Sequence, residues 1–189
     1  MKNIAKIPTL LGFSIVCVIV AAYYKPETAI RVILGLPSFE MELGNSSSLQ
    51  LEMHDGVRLN TNIYLPHGEG PWPAILIRDP YDYFALLCKM LSRYGYACVH
   101  QDVRGRYDST GDWYPVINER QDGLDTLDWL VKQEWQNDNI ATLGASYVGL
   151  VQWAMIDEMP EQVKTVVADF SHGDWYEIVQ KNGHFVKGS

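Results

Sequence analysis

The chain has 189 residues, with 15 Lys plus Arg against 23 Asp plus Glu and so a net charge of −8, and it is 47% hydrophobic and 12% aromatic. That balance belongs to a packed globular chain and excludes disordered, collagen-like and low-complexity classes. A pI near 5.0 without any Lys/Arg cluster leaves no electrostatic footprint for nucleic acid, and three cysteines are too few for a disulfide scaffold.

The first element is apolar. Eighteen uncharged residues, Ile7 to Tyr24, follow Lys2 and Lys6. A run of that length is at the lower limit for spanning a hydrocarbon core about 30 Å thick, and the basic flank places its N-terminal end in the cytoplasm. Residues 1–25 are therefore expected to form an apolar helix acting as a signal anchor or, with Val20 and Ala22 before a cut, a cleaved signal peptide. Either way the rest is exported, membrane-anchored in the first case and secreted or periplasmic in the second. Asn45-Ser46-Ser47 fits a glycosylation sequon.

Residues 26–48, with Pro26, Gly35, Pro37, Gly44 and the Asn-Ser-Ser-Ser run, read as a connector. The domain is expected from Leu49 onward. Residues 49–54 and 57–65 alternate in polarity around Asp55-Gly56, a hairpin signature. Residues 73–78, 96–103 and 140–144 read as strands, the first nearly all apolar, as for strands buried on both faces. Between them, Phe84, Leu87, Cys88 and Leu91 recur at helical spacing, as do Leu124, Leu127, Leu130 and Val131 behind an acidic first turn. A helix over 150–159 and a strand over 165–170 complete the series. The alternation predicts an α/β fold, a mostly parallel sheet with helices on both faces. Cys17 lies in the apolar run, while Cys88 and Cys98 lie in a predicted helix and strand; each reads as a small buried hydrophobe in preference to a bridge.

Chemistry concentrates in Gly144-Ala145-Ser146-Tyr147-Val148-Gly149, between a predicted strand and helix. A nucleophile elbow needs such a sharp turn so that the serine hydroxyl projects from the top of the sheet. The helix N-terminus beneath Ser146 and the backbone N–H of Tyr147 are placed to hold negative charge. The second glycine falls three residues after the serine, whereas the common hydrolase spacing is two; from spacing alone a Gly/Ser turn without chemistry stays open.

Further motifs stand in fixed order around it. Arg78-Asp79-Pro80-Tyr81 follows a strand; Gln101-Asp102-Val103-Arg104-Gly105-Arg106 comes next, with Ser109, Gly111 and Trp113 behind it; then Asp122-Gly123-Leu124-Asp125-Thr126 with Trp129-Leu130. With the serine motif and Asp169 to Tyr176, this series resembles the cocaine esterase / X-Pro dipeptidyl-peptidase-like serine hydrolases, α/β-hydrolases whose own form of the motif is Gly-x-Ser-Tyr-x-Gly. The resemblance runs from about Leu51 to the end. It implies that Ser146 is the nucleophile of an acyl-enzyme mechanism and that Tyr81 and the Tyr147 N–H form the oxyanion hole. It also implies a small-molecule or peptide substrate held as an ester or amide. The Asp102–Arg106 run is expected to shape a loop, its charges pairing with each other.

A serine of ordinary basicity needs a histidine and an acid. After Ser146 the chain offers His172 and His184, with Asp157, Asp169 and Asp174. These histidines follow the predicted strand at 165–170 too closely for the fold, so a triad of Ser146, Asp169 and His184 is disfavoured. The expectation is instead that 49–189 is the N-terminal part of an α/β-hydrolase domain, truncated after the strand that follows the elbow, with cap and C-terminal β-domain absent. A non-catalytic remnant or a membrane-tethered binding domain is the alternative. His54, His67 and His100 are given surface or core roles. No cofactor is implied. Asp102, Asp108 and Asp112 do not match a calcium loop, and no His/Cys spacing suggests zinc, so no metal is expected. The oligomeric state has no signature.

Overall fold

The computed structural model describes residues 23–171 together with Gln180–Lys181 and His184–Phe185. The chain divides into two compact units, Met1–Glu40 and Met41–Ser189. All of the apolar run but Tyr23 and Tyr24 lies outside the described residues, among which no helix is long and apolar enough to cross a membrane. Within the first unit, α1 (Pro26–Ile33) opens on a proline, which fits a first turn where no N–H partner is needed. Glu27 in its first turn and Arg31 in its last complement the helix dipole.

The second unit is built on six strands. β1 (Leu43–Glu52) and β2 (Arg58–Pro66) form the expected antiparallel hairpin about Asp55-Gly56. β1 starts at Leu43 and not at Leu49. Ser46, Ser47 and Ser48 stand opposite Tyr64, Ile63 and Asn62, because an exposed edge strand needs a backbone partner and no apolar side chains. Residues 26–48 are thus not one connector: they contain α1 and the start of the sheet.

There follow β3 (Trp72–Asp79), α2 (Ala85–Arg93), β4 (Ala97–Asp102), α3 (Glu119–Leu130), β5 (Gln136–Ala145), α4 (Tyr147–Trp153) and β6 (Val163–Asp169). A small antiparallel pair, β7 (Gln180–Lys181) and β8 (His184–Phe185), comes last. The strand order is β1-β2-β4-β3-β5-β6, parallel from β4 through β6. α4 occupies 147–153 where the periodicity suggested 150–159, since the helix begins on the residue directly after Ser146.

β3 lies between β4 and β5 and is covered on both faces. Ala74 and Leu76 join Leu127 and Leu130 of α3 in one buried cluster, while Ile75 and Ile77 join Cys88 of α2 in another. The continuous apolar run of β3 has its physical cause here. Cys88 and Cys98 are both fully buried, but they are bonded to each other, with Cα atoms 5.2 Å apart. The expectation of two unlinked hydrophobes is corrected: α2 lays Cys88 on the sheet face from which Cys98 of β4 projects, a proximity that helix and strand periodicity do not encode.

The order also fixes where a site can form. From β3 the chain crosses to β4 on one side, and from β5 it proceeds to β6 on the other. The carboxyl ends of neighbouring β3 and β5 therefore flank a topological switch point, where open parallel sheets leave a crevice.

Candidate active site

Both sides of that crevice carry predicted residues. After β5, Ser146 adopts φ 55° and ψ −126° and is solvent-exposed. A non-glycine residue held there costs about 1–3 kcal/mol, and the surroundings must enforce it. They do so at both ends: the Ser146 N–H donates to the Asp169 carbonyl at 3.0 Å, and the Ser146 carbonyl accepts from Gly149 and Leu150 at 3.0 and 2.9 Å. The two glycines of the motif are places of close approach. A Cβ on Gly144 would lie 2.4 Å from Val148 Cγ1, and one on Gly149 would lie 2.4 Å from Ser171 Oγ and 2.7 Å from its Cβ. The spacing with glycine three residues after the serine is thus set by the chain leaving β6, which crosses the first turn of α4 at Gly149.

After β3, Tyr81 sits in a loop pinned by Asp79. Asp79 Oδ1 accepts the backbone N–H of Tyr81 and, at 2.8 Å, that of Asp82. The loop is braced from the Arg104–Trp113 segment: Arg106 Nε donates to the Pro80 carbonyl at 3.0 Å, and the Tyr107 hydroxyl donates to the Tyr81 carbonyl at 2.7 Å. The Tyr81 ring packs on the cluster of Tyr147, Leu150 and Val151 and stacks on Tyr83 with centroids 5.3 Å apart. Burial, and after it the neighbouring Tyr83, raise the Tyr81 hydroxyl above its ordinary pKa, so it remains a proton donor.

Tyr147 is buried, and its hydroxyl donates to Glu119 Oε1 at 2.7 Å and accepts from the Val116 N–H at 3.1 Å. Burial, then the Glu119 carboxylate, push its pKa up. Glu119 leads into a buried polar network that binds the sequence motifs to one another. Arg78, 2% exposed, donates to Gln101 Oε1 and to the Glu119 carbonyl, both at 2.8 Å, and lies 3.3 Å from Glu119 Oε2 and 4.0 Å from Asp122 Oδ2. Gln101 also accepts from Thr126 at 2.9 Å, and Arg104 holds Asp122 through two bonds of 3.0 and 2.6 Å. The Asp102–Arg106 run does shape a loop, but not by pairing within itself: Arg104 reaches Asp122 and Asp55, while Asp102 accepts from Asn60 at 2.8 Å.

Against this geometry the comparisons with known proteins are specific. Residues 55–189 match the family described as X-Pro dipeptidyl-peptidase (S15 family). The chain belongs to that family. Within the X-Pro dipeptidyl-peptidase family and its kin, the chain is 34% identical over 139 residues to the cocaine esterase of Rhodococcus sp. (strain MB1 Bresler), covering 69% of this chain and 24% of the relative. It therefore spans about a quarter of that relative's length. Among solved structures, an alpha-amino acid ester hydrolase shares 28% identity with a TM-score of 0.61, covering 72% of this chain and 27% of that one. An aminopeptidase from a marine sediment Thaumarchaeota archaeon shares 28% with a TM-score of 0.59, covering 70% and 26%. The six-stranded, mostly parallel sheet matches an α/β-hydrolase, and the relatives are hydrolases.

Of the predicted site residues, Tyr81 packs against the cluster that holds Tyr147, and Ser146 immediately precedes Tyr147 at the exposed turn. Asp169 binds Ser146 through its backbone carbonyl, while its carboxylate accepts from the Phe170 N–H at 3.0 Å. His172 and the side chain of His184 lie outside the described residues. His54 and His67 are at the surface, and His100 is fully buried on Asp79. Sequence reasoning missed Asp79 and Glu119 as the groups that fix Tyr81 and Tyr147. Asp79 carried a signal, an acid just before Pro80 at a strand end; Glu119 carried none.

Proposed function

We propose that the chain carries the nucleophile and the oxyanion hole of a serine hydrolase that cleaves an ester or amide through an acyl-enzyme. The observation that carries the reading is Ser146, exposed at positive φ on a strand-to-helix turn, beside a tyrosine-bearing loop held across the switch point. In this reading the Ser146 hydroxyl adds to the substrate carbonyl, and the developing oxyanion accepts hydrogen bonds from the Tyr81 hydroxyl and the Tyr147 N–H. Removal of one such donor costs about 2.7–4 kcal/mol of barrier. The leaving group departs with a proton, and water then resolves the ester on Ser146. Names among the relatives include both esterases and a peptidase, so small esters, amides and X-Pro peptides are all candidate substrates.

The reading extends to location and organisation. The N-terminal apolar run behind Lys2 and Lys6 supports export, as does the Cys88–Cys98 disulfide, a bond that persists in oxidising compartments. Met41–Ser189 is then the hydrolase portion. A fluorophosphonate probe applied to the full-length protein, followed by peptide mass spectrometry, is expected to label Ser146. The reading fails if no serine is labelled or if Ser146→Ala leaves labelling unchanged.

A further inference from the structure

On the sheet face opposite α3 lies a polar cavity of about 420 Å³, bounded by β2, β4 and the loop after β3. Its lining includes Asp82, His100, Asp102 and Asp108, and none of its lining residues is Lys or Arg. His100 and Asp102 alternate on β4, so their side chains share one face. Asp82 reaches them from the Tyr81 loop, and one ligand atom from each of the three lies within 4.8 Å of the other two. Two of these groups have a buried, unpartnered atom. His100 is 0% and Asp102 2% exposed, yet among the described residues His100 Nδ1 and Asp102 Oδ1 have no partner within hydrogen-bond geometry.

A buried carboxylate oxygen and a buried imidazole nitrogen without partners are each costly unless something satisfies them. The hydrogen bonds say what fits. His100 Nε2 is taken up by the Asp79 carboxylate, which leaves Nδ1 as the ring nitrogen open to a further ligand. A carboxylate behind an imidazole is the arrangement that orients metal-ligating histidines. Asp102 Oδ2 is occupied by Asn60, which leaves Oδ1 for a second interaction.

We propose that Asp82, His100 and Asp102 bind a divalent first-row metal ion of the manganese or zinc type. One imidazole and two carboxylates are a mixed N/O set suited to such ions. With bonds of about 2.0–2.4 Å, two ligands on one ion stand at most roughly 4–5 Å apart, which the three groups meet. The cavity has room for water to complete the coordination. The set was invisible to spacing rules because it forms only when the loop after β3 folds over β4. The ion would tie Asp82, and with it the neighbouring Tyr81, to the sheet. The assignment stands on the cavity alone and does not depend on the role of Ser146.

The test is metal binding by the full chain stripped with a chelator and returned to neutral buffer. Mn²⁺ is followed by loss of its free six-line electron paramagnetic resonance signal, Zn²⁺ by equilibrium dialysis. One ion per chain is expected for at least one of the two metals, with affinity at least tenfold weaker in each of Asp82→Asn and Asp102→Asn. Asp82 is exposed and has φ 57°, which asparagine tolerates, so that variant tests the site without threatening the fold. The proposal is overturned if neither metal binds stoichiometrically. It is equally overturned if both variants bind as the parent does.

Discussion

Arg78→Met is the most exacting perturbation of this fold. The guanidinium is 1% exposed and compensates charge on one side and satisfies hydrogen bonds on the other. Without it, Asp122 keeps both bonds from Arg104, but among the described residues the Glu119 carboxylate, 4% exposed, keeps only the Tyr147 hydroxyl. Stranding one member of a buried pair costs about 3–5 kcal/mol. For a unit of this size, at about 2–4 °C per kcal/mol, the midpoint of thermal unfolding should fall by about 6–20 °C. The diagnostic is the double variant Arg78→Met/Glu119→Gln. If the penalty is an uncompensated carboxylate, neutralising it recovers part of the loss, and the two changes are non-additive by about 1 kcal/mol or more. Urea unfolding followed by near-ultraviolet circular dichroism measures each term. A loss under about 1 kcal/mol for Arg78→Met, or additivity within about 0.5 kcal/mol, would refute the argument that this network is held by charge compensation.

Gly149→Ala should cost about 1–3 kcal/mol by overpacking against Ser171, and it should depress fluorophosphonate labelling more than Gly56→Ala, which strains the β1–β2 turn at φ 85° but adds a Cβ that meets nothing; equal labelling of the two would contradict the close-approach account of the motif. Alkylation of the denatured, unreduced chain should block Cys17 only, and three thiols should react after reduction, as counted by intact mass. Removing the bridge with Cys88→Ala/Cys98→Ala should lower stability by about 2–3 kcal/mol, the entropy of closing so short a loop. The His54 Nδ1 contact with Asp125 at 2.8 Å raises the His54 pKa above 6.5, chiefly through that hydrogen bond. Its stabilisation is therefore complete below pH 6.5 and lost as pH rises through the raised folded value; an NMR titration should show the midpoint return toward 6.5 in Asp125→Asn.

The sequence by itself determined a good deal. Periodicities of two and 3.6 located the hairpin, β3, β4, β5 and the helices between them, because backbone geometry repeats locally and burial selects apolar residues on the repeat. Gly144-Ala145-Ser146-Tyr147-Val148-Gly149 announced a turn with a serine at its apex for the same local reason. Tertiary structure decided what those segments mean together. It brought Cys98 under Cys88 and moved the edge of the sheet back to Leu43. It also joined Arg78, Gln101, Arg104, Glu119 and Asp122 into one network. These contacts span tens of residues and depend on strand order, which periodicity leaves free. The cluster of Asp82, His100 and Asp102 is the same lesson at one site: alternation places two of its groups on a common face, but only the folded loop brings the third within 4.8 Å of them.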